Sequence, residues 1–166
     1  MTLVERARVF ATAAHAAVGQ LRKYTFEPYI VHPREVAGIV ESVGGTPEMI
    51  AAAWLHDTVE DTGVTIETIR EEFGSEVSEL VGWLTDVSRP EQGNRAVRKA
   101  IDRAHTAAAP GAAQTIKLAD LISNTRSITA HDPEFAKVYL AEKRALLEVM
   151  TKADTDLMMI ARQQIG

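Results

Sequence analysis

Apolar residues recur at three- and four-residue intervals along almost the whole chain. That is the period of a helix face, not of a strand. Leu3, Ala7, Phe10, Ala14 and Ala17 line one face of a first helix, with Glu5, Arg6 and Arg8 between them. Helix punctuation separates the periodic stretches. In "HPREVAGIVESVGG", Pro33 marks a helix start and Gly44-Gly45 lies past its end, the positions these residues favour. "TPEMIAAAWLHDTVED" opens with Thr46 as N-cap and Pro47 just inside. "VTIETIREEFG" gives a short helix capped by Thr65 and stopped by Gly74, and "SEVSELVGWLTDV" another from a cap at Ser75. Pro90 and Gly93 make "SRPEQGN" the clearest loop. Further helices are expected from Asn94 to Ala109, through "AQTIKLADLISNTRSI", from Pro133 behind the cap Asp132, and from near Asp154 onward. No stretch alternates as a strand. "EPYIVHP" has strand-like residues, but Pro28 and Pro33 fence it into an extended connector.

No linker, repeat or low-complexity tract divides the 166 residues. The expectation is one all-α domain over 1–166, a helical bundle large enough for a real core. The absence of Cys excludes disulfides, cysteine zinc sites and thiol catalysis. A net charge of −5 provides no overall basic field for nucleic acid or membrane. No apolar run reaches transmembrane length, and the charged first helix is not a secretory signal. A soluble cytoplasmic protein is expected. An anionic ligand would need a metal or a local basic patch, either Arg22-Lys23 or Arg95, Arg98, Lys99 and Arg103.

The stretch "AAAWLHDTVEDTG" crowds His56, Asp57, Glu60 and Asp61 beside Trp54 and Leu55. On a continuing helix, His56 shares a face with Glu60, and Asp57 with Asp61. Burying such groups is costly without compensation. Two readings stand at this point. One is a solvated helix end with a His near the negative pole of the helix dipole. The other is a divalent cation, which suits imidazole with carboxylate and relieves like-charge repulsion. Two other stretches favour the second. His32 in "PYIVHPREVA" stands just before a helix start, and Asp120 in "TIKLADLISNT" sits inside an apolar run with Asn124 one turn on. His32, His56, Asp57 and Asp120 make a set of two imidazoles and two carboxylates from separate helices, as helix bundles build metal sites.

"GQLRK", "PYIVHP", "LHDTVEDT" and "KLADLISNTR", in this order and spacing, resemble the HD phosphohydrolases. More narrowly, they resemble the hydrolase domain of RelA/SpoT-homologue proteins. The resemblance implies an HD-type helical bundle in which His32, His56, Asp57 and Asp120 hold a divalent metal, usually Mn2+. It implies Glu60 and Asp61 as the pair acting on water and leaving group. Arg22 and Lys23 would contact the nucleotide, and Tyr29 and Asn124 would line its base or ribose. The implied reaction removes the 3′-pyrophosphate from a purine alarmone, (p)ppGpp or (p)ppApp. Longer family members carry an alarmone synthetase after this domain, and this chain ends where the hydrolase would end. A stand-alone small alarmone hydrolase is therefore expected, with exposed helices that allow a homodimer.

The match has departures. Ala17 stands where the family often has His, and His15 is read as a structural helix residue. The connector "RKYTFEPYI" is one residue longer than in many relatives, and Leu121 and Ser123 replace common residues after Asp120. These leave guanine and adenine both open. Alternatives are an HD phosphohydrolase acting on deoxynucleotides or 5′-monophosphates, and a non-catalytic alarmone-binding sensor. His105 and His131 lie outside every motif.

Overall fold

A computed structural model describes residues 1–166. Its helices gather into two compact units, Met1–Thr85 and Asp86–Gly166. The first holds α1 (Leu3–Ala17), α2 (Val31–Ser42), α3 (Pro47–Leu55), α4 (Thr58–Asp61), α5 (Ile66–Phe73) and α6 (Ser75–Leu84). The second holds a 3-10 turn at Pro90–Gln92, then α7 (Arg95–Ala108), α8 (Gly111–His131), α9 (Pro133–Val149) and α10 (Thr155–Gln163). The fold is all-α. An isolated antiparallel bridge, Leu21 to Pro28, closes the connector between α1 and α2.

Helix α3 organises the first unit. After Glu48 its sequence "MIAAAWL" is apolar on every side, the pattern of a helix surrounded by protein, and α1, α2 and α6 pack against it. Ala51, Ala52, Ala53 and Leu55 are fully buried. The small alanines admit close approach by Ala7 and Ala11 of α1 and by Val36 and Val40 of α2, all without exposure. Thr46 caps α3 as the sequence implies, its hydroxyl accepting from the Met49 amide at 3.2 Å.

Several boundaries differ from expectation. The buried face of α1 is Ala7, Ala11 and His15, whereas Ala17 is exposed. Helix α2 begins at Val31, so His32 lies in its first turn and Pro33 follows inside. Proline is tolerated there because first-turn amides have no intrahelical acceptor. Ser75 is the first helical residue of α6, not its cap; Gly74 takes the cap with φ 91°. Its amide closes α5 on Arg70 O at 2.9 Å and its carbonyl opens α6 by accepting from Ser78 at 3.2 Å.

In the second unit α8 packs on α9 and α10. Ile116, Leu118, Ala119 and Ile122 are buried, as are Leu147, Leu157 and Ala161. Lys143 of α9 is buried in the same unit, 1% exposed. Its ammonium donates to Thr125 Oγ1 at 2.8 Å and Gln164 Oε1 at 2.6 Å, and the Gln164 amide donates to Ile122 O at 3.1 Å. Burial pushes the Lys143 pKa down to about 8.

Two outcomes follow for stability. The end of α2 is closed by Gly44 N to Glu41 O at 3.0 Å and Gly45 N to Val40 O at 3.1 Å, with Gly44 at φ 77°. Gly44→Ala is expected to cost about 1 kcal/mol, or about 3 °C in melting temperature for a chain of this size. For Lys143, an unfolded pKa of about 10.4 exceeds the folded value of about 8. Between those values the unfolded state binds more protons, so stability rises with pH. The burial penalty is full below pH 8 and gone above the unfolded pKa. Denaturant titrations across this range should show the rise in the parent protein and its loss in Lys143→Met.

Candidate metal centre and the residues around it

Three ligand atoms converge in the first unit. One from each of His32, His56 and Asp57 lies within 4.8 Å of the others. Asp57 Oδ2 is 3.1 Å from His56 Nε2 and 3.8 Å from His32 Nε2. Both imidazoles are buried and the Asp57 side chain is 15% exposed.

The cluster depends on how α3 ends. The sequence suggests one helix running through His56 to Asp61, but α3 stops at Leu55. Asp57 adopts φ −101°, ψ −2° before α4 restarts at Thr58. His56 and Glu60 therefore do not share one continuous helix face. The break is stabilised by side chains that take the carbonyls α3 leaves behind. Thr58 Oγ1 donates to Leu55 O at 2.8 Å, and His56 Nδ1 lies 2.6 Å from Ala53 O. A carbonyl only accepts, so Nδ1 carries a proton and Nε2 is the nitrogen turned toward Asp57. The Tyr29 hydroxyl donates to Asp57 Oδ2 at 2.5 Å. Two nitrogen donors and a carboxylate, oriented by an outer layer of hydrogen bonds, fit a divalent cation.

Rings surround this cluster in sequence. His15 faces Tyr29 at 4.8 Å between centroids, Tyr29 faces His32 at 5.9 Å, and His32 faces His56 at 5.3 Å. Buried His15 bonds Gln20 Oε1 through Nδ1 at 2.8 Å, and the Gln20 amide donates to Asp61 Oδ2 at 3.1 Å. Sequence reasoning missed Gln20, and its partner Asp61 is 41 positions away. Glu60 and Asp61 present exposed side chains on α4. Partial desolvation nonetheless raises the Asp61 pKa above the usual range; the Gln20 bond opposes this and the Asp57 charge adds to it. Of the expected nucleotide contacts, Arg22 is 11% exposed in its side chain and 3.5 Å from Glu35. Lys23 lies over the Tyr24 ring at 5.4 Å.

In the second unit, buried Asp120 accepts from Lys117 Nζ at 3.1 Å and from Asn124 Nδ2 at 3.0 Å. With Asp86, Lys99, Arg103 and Tyr139 these residues line a cavity of about 180 Å³. Burial alone would lower the Lys117 pKa, but Asp120 and Asp86 outweigh it and raise it. Burial raises Tyr139, and the Asp120 charge reinforces the shift. Of the basic cluster on α7, Arg95 is committed elsewhere: it forks onto both Glu142 oxygens at 2.9 Å and lies 5.4 Å from the Phe135 ring centroid. Lys99 and Arg103 are the members that reach the cavity. His131 turns back to Ser127 O at 2.8 Å.

The HD-domain family model matches residues 7–147, and the chain belongs to that family. Among relatives, a protein of Mycobacterium leprae named probable GTP pyrophosphokinase is 41% identical over 135 residues, covering 81% of this chain and 17% of its own length. The guanosine-3′,5′-bis(diphosphate) 3′-pyrophosphohydrolase MESH1 of Xenopus tropicalis is 38% identical over 110 residues, 64% of this chain and 59% of that protein. This chain thus spans about a sixth of the first relative and three-fifths of the second. The solved structure of a metazoan orthologue of SpoT that hydrolyses ppGpp matches with TM-score 0.87 and 24% identity, over 99% of this chain and 94% of that one. That likeness supports the all-α fold.

Tyr29→Phe should isolate the outer layer of the centre. It removes one bond to Asp57 without touching a ligand, and loss of such a bond weakens metal binding by about 10- to 100-fold. Calorimetric titration with Mn2+ or Zn2+ is expected to show that decrease, with retained helicity by circular dichroism.

Proposed function

We propose that the chain is a Mn2+-dependent 3′-pyrophosphohydrolase of purine alarmones, ppGpp or ppApp, acting in the cytoplasm. The observation that carries this reading is the His32–His56–Asp57 donor cluster with the Glu60–Asp61 pair on the helix that follows it. The name of the Xenopus relative supports the same chemistry. Asp120 joins as fourth ligand on the strength of its motif.

The reaction adds water across the bond between the 3′-oxygen and its phosphorus. It yields pyrophosphate and a nucleoside 5′-diphosphate with a free 3′-hydroxyl. A divalent ion supplies Lewis acidity toward phosphoryl oxygens and makes water nucleophilic near neutral pH. His32 and His56 would offer imidazole nitrogens to the ion and Asp57 a charge-balancing oxygen. Glu60 and Asp61 orient the attacking water and protonate the departing 3′-oxygen. Desolvation of Asp61 favours its protonated form. Arg22 and Lys23 supply charge to the phosphates, and Tyr29 and Asn124 border the base or ribose.

The test is turnover of ppGpp and ppApp by the Mn2+-loaded protein, with products separated by chromatography. Asp57→Ala should lose both metal and turnover. Glu60→Gln should retain the metal and lose at least about 100-fold in rate, the scale of acid–base work. Release of orthophosphate or triphosphate instead of pyrophosphate would assign the chain to another HD phosphohydrolase activity. Nucleotide binding without turnover would make it a sensor.

A further inference from the structure

Helix α1 ends on a turn that brings the side chains of His15 and Gln20 together. Gly19 adopts φ 64° and donates to Ala16 O at 3.0 Å, and Gln20 N returns to His15 O at 3.2 Å. Such bonds close a helix that ends on a left-handed glycine. Gln20 Oε1 then lies 2.8 Å from His15 Nδ1. The Gln20 carbonyl accepts from the Tyr29 amide at 3.1 Å, and its side-chain amide donates to Asp61 Oδ2 at 3.1 Å. Both ends of the Gln20 side chain and both of its backbone polar groups are therefore bonded within the first unit.

These bonds run in one direction. An ionised carboxylate only accepts, so the NH2 of Gln20 faces Asp61 and its oxygen faces His15. An amide oxygen also only accepts, so His15 Nδ1 carries a proton. His15 is 1% exposed, and its Nε2 is buried without a hydrogen-bond partner. Burying an imidazole with one nitrogen unpartnered is costly, and an apolar side chain would fill the same space without that cost. What the imidazole supplies and an apolar residue cannot is the bond that orients Gln20. At the other end of the chain of bonds, Asp61 Oδ2 is occupied by the Gln20 amide.

We infer that Gln20, braced by His15, is a positioning residue for Asp61: it holds Oδ2 and leaves Oδ1 as the oxygen that exchanges a proton during hydrolysis. This rests on the alarmone reading and deepens it. Neither Gln20 nor His15 touches substrate in this assignment. Their contribution is to keep the Asp61 carboxyl in one orientation, and a misplacement of about 1 Å at a reacting group costs up to about 100-fold in rate.

The experiment has two arms. Long-range 1H–15N NMR of the metal-free parent, at a pH where His15 holds one proton, should place that proton on Nδ1. The Nε2–H tautomer would overturn the inference, because Gln20 would then turn its oxygen toward Asp61. The second arm is steady-state kinetics of the Mn2+-loaded protein on ppGpp and ppApp. Gln20→Leu, and Gln20→Glu, which keeps the shape and replaces the donor with an acceptor, should lower kcat about 10-fold with KM within about twofold. Calorimetry should show Mn2+ affinity unchanged in both. In an Asp61→Asn background, Gln20→Leu should cost less than about a further twofold, the sign that the two side chains act as one. His15→Ala should lower kcat about threefold, and His15→Asn, whose Nδ2 stands where Nδ1 did, should restore it. Unchanged kcat in Gln20→Leu would overturn the inference. So would a full 10-fold loss that persists beside Asp61→Asn, or a rise in KM or loss of Mn2+ that accounts for the effect. Should the parent hydrolyse neither alarmone, the functional reading fails while the His15 tautomer still decides whether Gln20 holds Asp61.

Discussion

The bond between His56 Nδ1 and the Ala53 carbonyl, 2.6 Å long, lies where the apolar core becomes a reactive site. The last five residues of α3, Ala51 to Leu55, are buried, so the carbonyls at its end have little water to turn to. An unsatisfied buried carbonyl costs about 1–3 kcal/mol. The imidazole removes that cost and, by doing so, is held in one tautomer with Nε2 directed to the neighbouring carboxylate. Thr58 performs the same service for Leu55, and α4 can then start in a new direction. Core packing, helix termination and donor orientation are thus one problem with one local solution.

The chain keeps its buried carboxylates in two different environments. Asp57 is met by a neutral hydroxyl and two imidazole nitrogens, a setting in which a cation completes the charge balance. Asp120 accepts from the Lys117 ammonium and an amide, so part of its charge is balanced within the second unit. Lys117 stays protonated because Asp120 and Asp86 outweigh its desolvation. The sequence pattern groups both aspartates as metal ligands, although the hydrogen bonds that distinguish them come from residues no motif marks for that task.

Helix periodicity and the Thr46, Thr65 and Asp132 caps were legible because they depend on neighbours within a turn. His32, His56 and Asp57 were legible as a cluster because their residue types belong together chemically. The interruption of the helix at His56-Asp57 was not. Nothing in "WLHDTVED" breaks a helix by propensity, and the competing bonds to Ala53 and Leu55 matter only once α3 is buried. Gln20 was hidden for another reason. It joins His15 to Asp61 across a separation set by packing, and a lone glutamine at the end of a helix carries no periodic signal.

Local preferences are violated at three places: the break after Leu55, the left-handed Phe26 and the buried Lys143. A sequence that specifies its fold well is consistent at every level except where something other than stability is selected. The first two violations flank the same cluster, one supplying its ligands and the other attached to it through Gln20 and Tyr29. The third bonds Thr125, which follows Asn124 and lies five residues beyond Asp120 on α8. Residues that destabilise their own unit without serving a site would be expected to scatter. Here each lies beside a candidate functional residue of its own unit, so within each unit the departures from local preference and the candidate residues fall together.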